Sequence, residues 1–182
     1  MPGPKAFGGR LVPRNVSEVD DHTPGAHGHL VTCGDSSAAV AAAWASNGRE
    51  VHDGSVYRAV TKDPDGVTLD QLATEIKSVA GLTLIQPKGW AWGACSYHLV
   101  NGTALIIQGL YSSLPREYRY QDGAAFTHDM CALYRSLASG VRLYDPLDPD
   151  RTGYGRWLPA AVVRKFIESG GVTVGYLVNQ PI

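Results

Sequence analysis

The sequence predicts one α+β domain in which a helical half packs on an antiparallel sheet half. Three observations carry that prediction. A nearly all-apolar, Ala-rich helix and an amphipathic helix come early, strand-like runs dominate from Leu82 onward, and no internal repeat or low-complexity tract interrupts the order. The 182 residues suffice for one core of ordinary size. Residues 1–28 hold Pro2, Pro4, Pro13 and Pro24 among Gly3, Gly8, Gly9, Gly25 and Gly28, with no sustained apolar period. They are expected to form an extended arm, leaving 29–182 as the domain.

Within the domain, Asp35-Ser36 is placed to cap a helix running through the Ala38–Ala45 stretch to a stop at Gly48. Its sides are apolar almost all round, so it is expected to be central and buried. Thr68-Leu69-Asp70-Gln71 has the form of a capping box, and Leu69, Leu72, Ala73, Ile76 and Val79 then recur at helical spacing up to Gly81. Strand patterns follow at Leu82–Ile85, Thr103–Gln108, Ala125–Tyr134 and Val141–Tyr144. A third helix has Pro159 in its first turn and stops at Gly170-Gly171, and Val172–Val178 forms a last strand.

Sixteen basic residues against seventeen acidic ones give a formal net charge of −1, which lacks the electrostatic footprint of a nucleic-acid binder or a polybasic membrane-surface protein. No apolar run reaches the length of a membrane span, and the first residues lack the apolar core of a signal peptide. The expected setting is a host cytoplasm or a virion. Arg exceeding Lys in a Gly- and Ala-rich chain fits a GC-rich bacterial or bacteriophage source. Cys33, Cys95 and Cys131 are an odd, sparse set, consistent with reduced thiols rather than a disulfide framework.

The chemistry centres on Cys33. A thiol at a helix N-terminus meets unpaired amide N–H groups and the positive end of the dipole, which favour its thiolate. In the second half, His128 opens one strand-like run and Asp145 closes the next, so antiparallel pairing brings the two together. An imidazole held by a carboxylate at Nδ1 and facing a thiol at Nε2 forms a thiolate–imidazolium pair.

The Thr32-Cys33-Gly34-Asp35-Ser36-Ser37 segment, the buried helix behind it and the His128 … Tyr144-Asp145-Pro146 hairpin resemble papain-like cysteine peptidases. The likeness is greatest to the compact branch of bacteriocin-leader-processing peptidases, and it covers about residues 28 to 178. The resemblance implies a papain-like fold, Cys33 as nucleophile, His128 as base and Asp145 as the residue orienting the imidazole. It implies no cofactor and a peptide or peptidoglycan substrate. Two positions depart from the family pattern. Where the family has an oxyanion-hole Gln, this chain has Ala26-His27-Gly28-His29-Leu30, so His27 or His29 would have to donate from a ring nitrogen. Losing one such donor costs about 10²- to 10³-fold in turnover. Asp35 also puts an anion near the thiol, raising its pKa unless the carboxylate is engaged elsewhere.

Two function classes follow. One is a peptidase cleaving peptide or isopeptide bonds with the Cys33–His128–Asp145 triad, in peptidoglycan or in processing a virion protein. The other is an inactive papain-like component of a bacteriophage particle, tied to other virion subunits by the arm. Trp90 and Trp92, alternating in a Gly-flanked stretch, are candidates for a substrate groove. His22, His27, His29 and Cys33 match no closed zinc-ligand spacing, and no metal site is assigned.

Overall fold

The computed structural model describes residues 33–62, 66–120, 126–148 and 155–178. The arm over 1–28 and the domain's first four residues lie outside that range, as do His27 and His29. In chain order the described elements are α1 (Cys33–Ala45), α2 (Gly54–Thr61), α3 (Leu69–Ala80), β1 (Thr83–Ile85), α4 (Trp92–Val100), β2 (Leu105–Leu110), β3 (Thr127–Ser136), β4 (Gly140–Tyr144), β5 (Arg156–Leu158), α5 (Ala160–Ser169) and β6 (Thr173–Val178). The strands form one antiparallel sheet in the order β1-β6-β2-β3-β4-β5. The fold is the expected α+β arrangement of a buried central helix and helices packed on an antiparallel sheet.

Side chains on neighbouring strand positions point to opposite faces, and here both faces are covered. Ile106 on β2, Cys131 and Leu133 on β3, and Leu177 on β6 pack with α1 and α3. Their alternates, Leu105, Ile107, Met130, Ala132 and Val174, pack with Cys95 and Leu99 of α4 and Val163, Phe166 and Ile167 of α5. Two apolar layers with one sheet between them explain the near-continuous apolar runs of β2 and β3.

Helix α1 is the centre of the first layer. Eleven of its thirteen residues are buried, and its Ala38–Ala43 run lets the backbone lie close to the sheet. Side chains pin both ends: Ser37 Oγ donates to the Asp129 carbonyl at 3.2 Å, and Trp44 Nε1 donates to the Gly102 carbonyl at 2.9 Å. The helix begins at Cys33 rather than after an Asp35 cap, because the Asp35 side chain turns into the helical layer instead of back to the amides. The capping box at Thr68 and Gln71 forms as the sequence predicts, and Gly81 closes α3 with a φ of +67°. Pro159 occupies the cap position of α5 rather than its first turn.

Three elements carry too little pattern to stand out in the sequence. Helix α2 is only eight residues long, yet Asp53 caps it by accepting from the Ser55 N–H at 2.9 Å. Helix α4 has no side-chain cap, and β5 is three residues long.

The C-terminal end of α5 comes so close to β2 that only glycine fits between them. A Cβ on Gly109 would run into the Phe166 carbonyl, and one on Gly170 into the Gln108 carbonyl. Gly109→Ala is expected to destabilise the fold by about 1–3 kcal/mol through this overpacking, measured by urea unfolding. An unchanged midpoint would show that α5 can move away at no cost.

Candidate active site

Three of the residues singled out in the sequence lie in described parts of the first turn of α1 and the β3–β4 pair. Their chemistry follows from which face each one occupies. His128 and Asp129 are consecutive residues of β3, paired across from Gly109 and Gln108 of β2.

His128 turns to the α4/α5 face. Its Nε2 lies 2.8 Å from Asp145 Oδ1, and both residues are buried. Asp145, just beyond β4, also accepts from the Tyr111 hydroxyl at 3.1 Å and from the Leu147 N–H at 3.0 Å. Tyr111 itself accepts from the Tyr120 N–H at 2.8 Å. The imidazole is boxed by rings: Tyr111 and Phe126 meet it edge-on at centroid distances of 4.9 and 5.6 Å. Lateral play is thus removed from the ring, and the carboxylate is held by three donors. The hydrogen bond expected between His128 and Asp145 is present, with one correction: the carboxylate holds Nε2, not Nδ1. Asp145 follows Tyr144 at the end of its strand and so reaches the far nitrogen of the ring. Nδ1 is the ring nitrogen that Asp145 does not hold.

Asp129 turns to the α1 face. Cys33 Sγ, at the first residue of α1, lies 3.8 Å from Asp129 Oδ2 in hydrogen-bonding geometry, and Gln108 Nε2 donates to Asp129 Oδ1 at 3.1 Å. Burial raises the Asp129 carboxyl to about 6, against the opposing pull of the His128 charge and the Gln108 and Cys33 hydrogen bonds. Gly34 makes this approach possible: a Cβ there would collide with the Val67 side chain and press on Asp129 Oδ2 at 3.3 Å.

Asp35 is spent elsewhere. It is 1% exposed and 3.8 Å from Arg58 Nη1 on α2, and it interacts with Glu75 of α3, which is fully buried and accepts from the Thr61 hydroxyl. Burial drives the Glu75 carboxyl upward despite these partners. The Arg58 guanidinium, partly exposed, stands as the cation beside these two buried acids.

The remaining candidates sit apart from Cys33. Trp90 stacks on Tyr176 at 5.4 Å and contacts His98 at 4.6 Å, while Arg135 lies over the Trp92 ring at 5.5 Å. Both tryptophans pack against the α4/α5 layer, the face that His128 also occupies, whereas Cys33 heads the helix on the other face. Cys95 and Cys131 are buried, and burial pushes both thiols up, away from reactivity. No cluster of His, Cys, Asp and Glu suited to a metal ion occurs among the described residues, and no described helix is long and apolar enough to cross a membrane. Asp129, Gln108 and Tyr111 escaped the sequence reading. The available signal was an acidic residue at a strand position whose neighbours at i+2 and i+4, Cys131 and Leu133, belong to the core.

The α+β fold is papain-like and is similar to that of a solved peptidase domain. The peptidase domain of Streptococcus ComA, a bifunctional ABC transporter involved in a quorum-sensing pathway, superimposes with a TM-score of 0.51 at 16% identity, over 82% of this chain and 92% of that one. A protein described as a C39-like peptidase from Bacillus anthracis gives a TM-score of 0.48 at 12% identity over 64% of this chain, which spans 62% of that protein. No protein-family model and no curated protein sequence matches the chain.

Two stability experiments follow. Asp145→Ala leaves the buried imidazole, the Tyr111 hydroxyl and the Leu147 N–H without their acceptor and is expected to cost about 3–5 kcal/mol. A loss below about 1 kcal/mol in urea titrations would mean that water replaces the carboxylate. Asp129 gives a pH signature. Its folded value near 6 exceeds the ~3.9 of an unfolded chain, so its contribution is complete below pH 4 and lost as pH rises through 6. Asn titrates nothing. Between pH 4 and 7 the stability difference is expected to move toward Asp129→Asn by on the order of 3 kcal/mol. A pH-independent difference would contradict this.

Proposed function

We propose that this protein is a thiol peptidase in which Cys33 attacks a peptide or isopeptide carbonyl. The observation that carries the proposal is the buried His128–Asp145 hydrogen bond of 2.8 Å, on a fold whose central helix begins with a cysteine. An imidazole fixed by a carboxylate and a thiol at a helix N-terminus are the two components that this chemistry needs. The likeness of the fold to a peptidase domain supports the same reading.

In the proposed reaction, the Cys33 proton passes to the His128 imidazole across the start of β3, whose Asp129 the sulfur meets, and the thiolate adds to the carbonyl carbon. The tetrahedral adduct expels the amine, which takes the proton from the imidazolium, leaving an acyl-thioester. Water, deprotonated by the same imidazole, then releases the acid and restores the thiol. Asp145 keeps the ring oriented and offsets its charge when protonated. A peptide or a peptidoglycan cross-bridge is the substrate class in this proposal.

The test is site-resolved alkylation of the three cysteines by iodoacetamide across pH, together with hydrolysis of peptide and peptidoglycan substrates. Cys33 is expected to react well below pH 7 and ahead of Cys95 and Cys131. His128→Ala is expected to slow it and to lower any hydrolysis by about 10²-fold or more. A Cys33 that titrates as an ordinary thiol near 8.5, indifferent to His128, would leave the fold as a structural scaffold and end the catalytic reading.

A further inference from the structure

The Cys33 sulfur faces a carboxyl group as its hydrogen-bond acceptor, an unusual neighbour for a nucleophilic thiol. Asp129 is 5% exposed, fixed on one side by the Gln108 amide and on the other by the first turn of α1. Its backbone is fixed too, since its carbonyl accepts from Ser37 one turn further along the same helix. Among the described residues the polar groups facing it are few. They are Cys33 from α1, Gln108 from β2 and the charge of His128 on its own strand, behind which stands Asp145 at the end of β4.

We infer that Asp129 is a positioning residue that fixes the Cys33 side chain and sets how readily its thiol ionises. This rests on the peptidase reading, to which it adds a control on the nucleophile. The physical reasoning is a sign argument. An ionised Asp129 accepts the S–H hydrogen bond and repels a thiolate 3.8 Å away, so it holds Cys33 as a thiol. A neutral Asp129 carries the proton itself and donates it in a hydrogen bond to the sulfur, which favours the thiolate. The two ionisations oppose one another and titrate as a coupled pair. The Gln108 amide tips the balance toward the ionised acid, because its N–H stabilises the carboxylate. Gln108 thus influences the thiol without touching the substrate.

The imidazole completes the logic. His128, once protonated, favours both neighbouring anions, and its charge already acts on Asp129. A thiol proton delivered to His128 therefore weakens the repulsion felt by the new thiolate. Asp129 makes the resting thiol harder to ionise, and transfer to His128 offsets that cost.

The experiment reads the pH profile of Cys33 alkylation in the full chain, in which the thiolate displaces iodide from iodoacetamide to form a thioether. Wild type is expected to show a second inflection near pH 6, where Asp129 titrates. Asp129→Asn removes the charge but keeps a hydrogen-bond donor near the sulfur. It is expected to abolish that inflection and lower the Cys33 midpoint by about 1 unit or more, a rate gain of about tenfold below the midpoint. Gln108→Met removes the amide and is expected to move the inflection upward, which keeps the inference testable if Asp129→Asn does not fold. A residue that only packed would change the unfolding midpoint and leave both profiles as in wild type, and that result overturns the inference. His128→Ala separates the two readings. If His128→Ala slows Cys33 while Asp129→Asn and Gln108→Met leave the profile unmoved, the peptidase reading stands and Asp129 has no control over the thiol. If Cys33 ignores His128 yet shifts in Asp129→Asn, the peptidase reading falls and the Asp129 coupling stands. A Cys33 inert in every variant overturns both.

Discussion

The close seating of the first turn of α1 against β3 is the constraint on which the site depends. Gly34 permits it, because no side chain fits between this turn and Val67. Ser37 locks it through the Asp129 carbonyl, and the alanines behind it extend the contact along the sheet. A helix this apolar on every side is stable only when covered all round. Helices α2 and α3 and the sheet supply that cover, and the same burial encloses Asp35 and Glu75. The polar network at the start of α1 is a consequence of sinking a helix N-terminus into the core, where each charge needs a partner.

One strand then sorts the chemistry by parity. His128 and Asp129 are adjacent in sequence, but the period of a strand sends them to different layers. His128 goes to the aromatic side with Tyr111, Phe126 and Asp145, and Asp129 goes to the helix side with Cys33 and Gln108. A carboxylate stands behind the imidazole and another beside the thiol. They differ in partners: Asp145 accepts from three donors, whereas Asp129 has an amide, a thiol and a nearby imidazole.

Much of this was legible in the sequence, for identifiable reasons. The capping box at Thr68, the all-apolar helix beginning near Cys33 and the near-continuous apolar runs of β2 and β3 are local patterns that tertiary context reinforces. The His128–Asp145 pairing was legible because antiparallel pairing of β3 with β4 sets Cys131 opposite Tyr144 and so brings Asp145 near the start of β3, although β3 is ten residues long and β4 five. The nitrogen that Asp145 holds was not, since it depends on ring rotation fixed by Tyr111, seventeen residues upstream in the turn that follows β2. The direction of Asp35 was equally hidden. Its local sequence suits a cap, but Arg58 and Glu75, contributed by two later helices, draw it into the layer. Asp129 was hidden for a simpler reason: beside a histidine that already had a role, an acid reads as a solvated strand end until the packing of α1 is known.

The two acids near Cys33 show why sequence proximity is a poor guide to electrostatics. Asp35 is two residues from the thiol and is the acid that the sequence marks as a threat to its ionisation. Arg58 offsets its charge in the helical layer, where Glu75 is its other neighbour. Asp129 lies ninety-six residues away in the chain and is the carboxyl that the sulfur meets. Among the described residues no guanidinium or ammonium group stands against it, so burial lifts it into the range where a small change of pH or of a neighbouring charge alters its state. A carboxyl fully neutralised by an ion pair holds one charge state across neutral pH and transmits nothing. A carboxyl held by an amide and a thiol, beside a titratable imidazole, is the group whose charge can follow the proton that the chemistry moves.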